Sequence, residues 1–351
     1  MKILHTADWH LGKRLERFER LEEQRQVMEE ICQIAEDEDV QAVLVAGDLF
    51  DTYSPSTEAT HLLYRTLKRL SADGRRPVIA IAGNHDSPER IEAPDPLALE
   101  CGIFFAGYPH TQVTSVTLES GLQVTATAPG LLELSIPGVA FPLRILLAPY
   151  ANEGRIRKDL GTDQPDAALR AMLQAFWAEI AEKHCDTNGL NVMVAHLWMA
   201  PESGTAPEED SDEEKSLGTA SQVFTTNIPP AIQYAALGHI HSHFNVPGGP
   251  CPAVYASSPL AYSFPKRGSG EATSSSKHIV IVEGQPGTPV TYRAVPLQSG
   301  RKLHRLQFPD VATALDWLNA NPDTYVELHI ETDSFLTAEE RKLIMTAHPR
   351  V

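Results

Sequence analysis

Only four cysteines occur in the 351 residues, and they are widely separated. Cys32, Cys101, Cys185 and Cys251 form no CxxC pair. That argues against a structural zinc and a disulfide framework, and fits a reducing cytoplasm. No apolar run is long enough to span a bilayer. The start, Met1-Lys2-Ile3-Leu4-His5, lacks the basic stretch and apolar core of a signal peptide. A cytoplasmic protein is expected. Positive charge is also scarce: 29 Lys and Arg against 46 Asp and Glu leave a net charge of −17. That disfavours general attraction to nucleic acid. It does not exclude such a substrate, because bound divalent ions add positive charge where a phosphate sits. Part of the acidity is concentrated in one segment, Glu208–Glu214.

What is present is an ordinary soluble composition, 42% hydrophobic and 21% charged, with length for one large or two smaller domains. Short apolar runs at Lys2–His5, Ala42–Ala46 and Val78–Ala82 have the length of buried strands. Between them, Leu21–Ala35 and a segment capped by Ser56 and running to Leu70 carry helical spacing. This alternation predicts parallel βαβ units. After residue 100, Ile103–Phe105, Val124–Ala126 and Arg144–Leu147 read as strands without intervening helices. A helix follows over Asp166–Lys183, then strands at Asn191–Ala195, Tyr234–Leu237 and Val254–Ala256, and a hairpin of His278–Glu283 with Pro289–Val295. Met199–Pro229 reads as a long polar loop, either a mobile segment beside a site or a solvated insertion.

The expected fold is α/β, with two mixed β-sheets sandwiched between helices in a domain spanning 1–297. Residues 298–351 read as strand, helix, strand, helix, a small α+β unit. It ends at Val351, where another pairing strand is expected, so this unit reads as shortened at its C-terminus.

Five of the apolar runs end in metal-binding residue types. The clusters are Asp8-Trp9-His10, Gly47-Asp48 with Asp51, Gly83-Asn84-His85-Asp86, His196, and Gly238-His239-Ile240-His241. Open sheets gather ligands beyond the carboxyl ends of their strands. In an extended segment Asp8 and His10 point the same way, as do His239 and His241. Two ions about 3.5–4 Å apart need a bridging ligand, and the two oxygens of Asp48 suit that role. Gly47 allows a sharp turn just before it. The expected set is Asp8, His10, Asp48 and His241 for one ion, and Asp48, Asn84, His196 and His239 for the other. Mixed nitrogen and oxygen donors without thiolate favour manganese or iron, and two manganese ions are expected. Such a pair activates water and neutralises charge on an attacked phosphate. His85 is expected to face the substrate and donate a proton to the leaving alkoxide. Asp51 or Asp86 would hold its imidazolium.

These five motifs resemble those of the calcineurin-like metallophosphoesterase superfamily. The opening Ile3–Gly12, Gly47–Asp51 with Ser54-Pro55, Gly83–Ser87, Leu237–His241 and Ser257-Ser258-Pro259 resemble more closely the bacterial SbcD family. That family belongs to the double-strand-break repair nucleases. The resemblance covers nearly the whole chain, and the unit after residue 300 resembles the family's DNA-capping domain. It implies a manganese-dependent hydrolase of phosphodiester bonds, with 3′-to-5′ exonuclease action on duplex DNA and endonuclease action on single strands and hairpins. It also implies a homodimer and an SMC-like ATPase partner, SbcC. Archaeal and eukaryotic relatives tend to carry His where Asp51 stands, which makes a His85–Asp51 pairing a bacterial-type feature. Lys13, Arg14, Arg17 and Arg20, and separately Arg90, are candidate DNA-phosphate contacts. Interleaved Glu16, Glu19, Glu22 and Glu23 equally fit a solvated helix face. The competing functions are a phosphatase or cyclic-nucleotide phosphodiesterase, since metal ligands do not set substrate size, and a non-catalytic DNA-end tether.

Overall fold

Side chains on a strand alternate between faces, so a run buried throughout must be covered on both sides. In a computed structural model that describes residues 1–156, 165–203, 221–266, 272–332 and 335–351, the chain meets that demand with two stacked sheets between helices. The first half contains β1 (Lys2–Thr6), α1 (Leu21–Asp37), β2 (Ala42–Val45), α2 (Thr57–Leu70) and β3 (Val78–Ile81). The short α3 (Pro88–Glu92) and α4 (Asp95–Leu99) precede β4 (Ile103–Ala106). Next come β5 (Gln123–Ala128), β6 (Leu131–Ser135), β7 (Leu143–Ala148), α5 (Glu153–Ile156), α6 (Pro165–His184) and β8 (Leu190–His196). The rest of the main body holds β9 (Met199–Ala200), β10 (Val223–Phe224), β11 (Tyr234–Gly238), β12 (Phe244–Val246), β13 (Ala253–Tyr255), β14 (Ala272–Thr273), β15 (His278–Glu283) and β16 (Thr291–Pro296). The C-terminal unit is β17 (Leu303–Phe308), α7 (Val311–Ala320), β18 (Tyr325–Ile330) and α8 (Ala338–Ala347).

Among the described residues the first sheet has the order β16-β15-β1-β2-β3-β4, and the second β12-β13-β11-β8-β7-β6-β5. β1 to β4 are mutually parallel, and so are β7, β8, β11 and β13. Each sheet thus collects several carboxyl ends at one edge, as the βαβ pattern requires. Ile3, Leu44 and Ile79 pack between the sheets against Ile145, Val192 and Ala236. The other face of the first sheet meets α1 and α2 through Met28, Ile31, Leu63 and Leu67. The other face of the second sheet meets α6 through Leu169, Leu173 and Trp177. Fully burying one such side chain contributes about 1.5–3 kcal/mol, so these faces hold the helices in place. The apolar stripes of α1 and α2 are spent on this core.

Outside the Met199–Pro229 stretch, β6, β12 and the two-residue β14 lie where no strand is expected. The stretch Met199–Pro229 is not all loop: β9 pairs in parallel with β10. The acidic run Glu208–Glu214 lies outside the described residues. After residue 300, β17 pairs in parallel with β18, and β14, from before residue 298, pairs antiparallel with β17. Leu306, Phe308, Leu318, Val326 and Ile344 form a separate small core there. Among the described residues, no helix is long and apolar enough to cross a membrane.

His5, on β1, lies buried between the sheets. Its Nε2 donates to the Leu237 carbonyl at 3.2 Å, so Nδ1, 3.0 Å from the Tyr234 hydroxyl, accepts. Burial pushes its pKa down to about 3. The unfolded chain takes up a proton near pH 6.5, whereas the folded ring stays neutral until far lower. The stability this ring contributes is therefore complete above pH 6.5 and lost as pH falls toward 3, by about 1.4 kcal/mol per unit. Denaturant unfolding in chelator at pH 7.5 and 5.0 should show the decline, and His5→Gln should make it shallower. An identical slope in the variant would assign the loss to other groups.

Candidate metal centre

The first two donor segments run side by side after β1 and β2. Asp8, His10 and Leu11 donate backbone N–H to Gly47, Asp48 and Leu49 carbonyls at 3.0, 2.9 and 3.0 Å. Asp8, His10 and Asp48 all have positive φ, at 54°, 43° and 49°. The segment is therefore not extended. Left-handed turns, rather than strand alternation, bring Asp8 and His10 together. Gly47 has φ 87°, and a Cβ there would lie 2.2 Å from His196 Nδ1. The glycine permits both the turn and the imidazole beside it.

The third segment, after β3, is fastened by Asp86. Its carboxylate accepts from the backbone N–H of Leu49, Phe50 and Gly83 at 3.0, 2.9 and 2.8 Å. Burial and the neighbouring charge of Asp48 still push its pKa up to about 6. Arg155, on α5, secures the same loop by donating to the carbonyls of Gly83 (2.8 Å), Asp86 (2.7 Å) and Asn84 (3.4 Å). The second sheet brings His196 from the end of β8 and His239 from beyond β11. His239 N–H donates to Asp8 Oδ1 at 2.9 Å, which joins the two sheet edges.

The donors converge. His10 Nε2 and His241 Nε2 are 3.0 Å apart. Asn84 Oδ1 lies 3.0 Å from His196 Nε2 and 2.9 Å from His239 Nδ1. A single oxygen, Asp48 Oδ2, is 3.5 Å from His10 Nε2 and 3.4 Å from His196 Nε2. Three groupings have ligand atoms within 4.8 Å of one another: Asp8 with His10 and His241; Asp8 with Asp48 and His196; His10 with Asp51 and His85.

Electrostatics mark the same place. Burial pushes Asp8 up to about 7, and burial drives His10 down to about 4. Burial, with the neighbouring His196, holds His239 at about 3. Burial alone would also lower His196, but Asp48 and then Asp8 outweigh it and lift His196 to about 9. In return Asp48 is held well below the usual carboxylate range despite its burial, mainly by His196 and His10. Asp8 Oδ2, His10 Nδ1 and His239 Nε2 are buried without a hydrogen-bond partner among the described residues. An orphaned buried polar atom costs about 1–3 kcal/mol. The Ala46 carbonyl accepts from His196 Nδ1 at 2.8 Å, which fixes the tautomer and leaves Nε2 among oxygen acceptors. Buried nitrogens and oxygens that face one another in this way call for a shared cation. Their chemistry fits hard or borderline divalent ions.

His85 sits at the rim. Its Nδ1 donates to the backbone carbonyl of Asp51 at 2.8 Å, and its N–H to Asp48 Oδ1 at 2.8 Å. The expected carboxylate partner is therefore corrected. Asp51 holds His85 through its main chain, while its side chain lies 3.2 Å from Lys13 Nζ and 3.6 Å from His10 Nδ1. Burial would raise Asp51, but the His10 ring and Lys13 outweigh it and hold the carboxyl at about 2. Asp86, the other candidate, is committed to three backbone N–H groups. The basic residues after the first motif also differ from expectation. Residues 13–20 are not helical. Arg20 is 1% exposed and paired with Glu23 at 3.0 Å, so it cannot reach a DNA phosphate. Its burial under Tyr325, more than 300 residues away, is invisible to local sequence. Arg14 pairs with Glu19, Arg17 donates to the Val351 carbonyl at 2.6 Å, and Arg90 is exposed on α3. Sequence reasoning missed Arg155. No local motif flags it, because its partners lie about seventy residues away.

The family model described as Metallophos, calcineurin-like phosphoesterase, matches residues 1–243. The D subunit of nuclease SbcCD from Bacillus subtilis (strain 168) is 34% identical over 352 residues, covering 99% of this chain and 84% of that protein. The protein of the same name from Rhodobacter capsulatus is 31% identical over 257 residues, covering 71% of this chain and 60% of that one. Among solved structures, a dimetal phosphatase from Danio rerio aligns with TM-score 0.43 and 13% identity over 83% of this chain and 98% of that one. With its paired sheets, its gathered donors and the family and sequence matches, the chain belongs to the calcineurin-like phosphoesterases, enzymes that hydrolyse phosphoesters, and within them to the SbcD family of nuclease subunits.

Proposed function

We propose that this chain is a manganese-dependent DNA nuclease, the nuclease subunit of an ATP-dependent complex acting in DNA repair and recombination. The observation that carries the reading is Asp48 Oδ2, which lies within 3.5 Å of an imidazole from each of two donor groups. A shared carboxylate at that position is what a metal pair requires. Asp8, His10, Asp48 and His241 would hold one ion, and Asp48, Asn84, His196 and His239 the other. Manganese suits this mixed set of nitrogen and oxygen donors. When bound, the pair supplies an activated water and charge neutralisation for in-line attack on a phosphodiester.

The chain's own residues do the rest. His196 is oriented by Ala46, and Asp86 and Arg155 hold the Asn84-His85 loop at a fixed height. His85, with Nδ1–H committed to Asp51, offers Nε2 for proton transfer to the leaving sugar oxygen. Lys13, Arg14, Arg17 and Arg90 remain as phosphate contacts. Residues 298–351 act as part of a DNA-capping domain. An SMC-like ATPase of the SbcC type, a second copy of the chain and a cytoplasmic setting complete the reading, which rests on the relatives named above.

His85→Ala is the direct test. Purified protein is incubated with labelled duplex, single-stranded and hairpin DNA in manganese, magnesium or chelator. Manganese-dependent cutting should fall about 10²–10⁴-fold in the variant, the range for loss of a general acid. Manganese binding should be unchanged. Hydrolysis of small phosphoesters alone would favour a phosphatase. Intact DNA despite bound metal and added ATPase would favour an end tether.

A further inference from the structure

Two side chains, one on the first turn of α1 and one on a loop, support the first donor segment without being donors. Gln24, fully buried on α1, donates from Nε2 to the His10 carbonyl at 2.8 Å and to the Tyr262 hydroxyl at 3.2 Å. Its Oε1 accepts from Gly12 N–H at 2.9 Å. The Tyr262 hydroxyl in turn donates to the Trp9 carbonyl. The consecutive carbonyls of Trp9 and His10, in a segment with left-handed turns at Asp8 and His10, are thus pinned.

The preceding residue, Glu23, faces the C-terminal unit. Its Oε1 accepts from the Tyr325 hydroxyl at 2.7 Å, and its Oε2 accepts from Arg301 N–H at 2.9 Å. Arg301 Nη1 is 3.0 Å from the same carboxylate. Arg20 holds Glu23 through two bonds of 3.0 Å and lies 4.8 Å from the centre of the Tyr325 ring. Arg20, Glu23, Gln24 and Tyr325 are all buried. Adjacent residues in the first turn of one helix therefore touch the metal loop and the C-terminal unit. A helix turn moves as a rigid piece, and hydrogen bonds of this length weaken with sub-ångström displacement.

We propose that Gln24 and Tyr262 are positioning residues for the ion site of Asp8, His10 and His241, and that the Glu23–Tyr325–Arg301 joint makes this site respond to the seating of the C-terminal unit. The proposal rests on the two-ion reading. It adds a built connection between substrate-side architecture and one of the two ions.

The test is a manganese titration of the full chain by calorimetry, with thermal unfolding beside it. Wild type should show two binding phases. Gln24→Leu and Tyr262→Phe should each weaken one phase by about 10-fold or more, the low end for residues that support a ligand, and leave the other unmoved. Tyr325→Phe removes one hydroxyl and should weaken the same phase by roughly 2–5-fold, less than a direct support. Added to Gln24→Leu, it should cause no further loss. If Gln24→Leu does not fold, Tyr262→Phe carries the test. Unchanged phases with a lowered melting temperature would overturn the proposal and leave these residues as core. Equal weakening of both phases would overturn it too, as general loosening. An unmoved titration in Tyr325→Phe alone would remove the joint. Fewer than two phases in wild type would instead retire the two-ion reading, and the proposal with it.

Discussion

Asp48→Asn is expected to silence the enzyme while leaving the fold in place. The variant keeps Oδ1, which accepts from His85 N–H, so the loop geometry survives. It replaces Oδ2, the oxygen beside both His10 and His196, with a neutral amide. An amide nitrogen is a poor ligand and cannot bridge cations. Manganese stoichiometry should fall from two to one or none. Cleavage of hairpin DNA and of bis(p-nitrophenyl) phosphate should fall roughly 10³-fold or more, about 4 kcal/mol of transition-state stabilisation. The metal-free protein gives a second signal. His196 stands at about 9 largely because of Asp48, and its titration, followed by NMR, should move down in the variant. Two retained ions would sink the bridging role.

Gly238→Ala should have the largest effect on stability. Gly238 ends β11 where the second sheet meets the first. A Cβ there would lie 1.9 Å from the Ala46 carbonyl oxygen and 3.0 Å from Ala7 Cβ. The obstacle is backbone, and the same carbonyl accepts from His196. The sheet edges would have to separate by about an ångström, which draws His196 and His239 away from Asp8 and Asp48. A loss of about 4 kcal/mol is expected, at the upper end for one substitution, from overpacking and broken buried hydrogen bonds. Denaturant unfolding would read it directly, and manganese binding should weaken in parallel. A stable variant with intact ion binding would mean the edges part more easily than this packing implies.

Much of this was legible in the sequence, for a physical reason. Runs such as Ala-Val-Leu-Val-Ala are buried on both faces, so composition and length reveal the strand without any partner. Donor residues just past such runs then reveal the sheet edge. Ser56 announces α2, and its hydroxyl does accept from Ala59 N–H, at 3.2 Å. β6 was missed although Gly130 turns the chain before Leu-Leu-Glu-Leu-Ser, because its pairing with β5 and β7 is what distinguishes it from a loop. The site was readable as residue types but not as contacts. Asp51 serves His85 through its carbonyl, which every residue possesses, so its identity could not disclose that role. Gln24, Tyr262 and Arg155 act on main-chain carbonyls from remote positions and leave no pattern. Arg20 looked like its charged neighbours, and its contacts with Glu23, Tyr325 and the Ala261 carbonyl separate it from them.

The left-handed turns at Asp8, His10 and Asp48, with His239 at φ 102°, set a limit on engineering. Each non-glycine residue held in such a conformation stores about 1–3 kcal/mol. Glycine at any of the four would relax the main chain and erase a donor in one step. A campaign that ranks variants by heat resistance alone will therefore be drawn toward these positions, and its most robust winners will be empty shells.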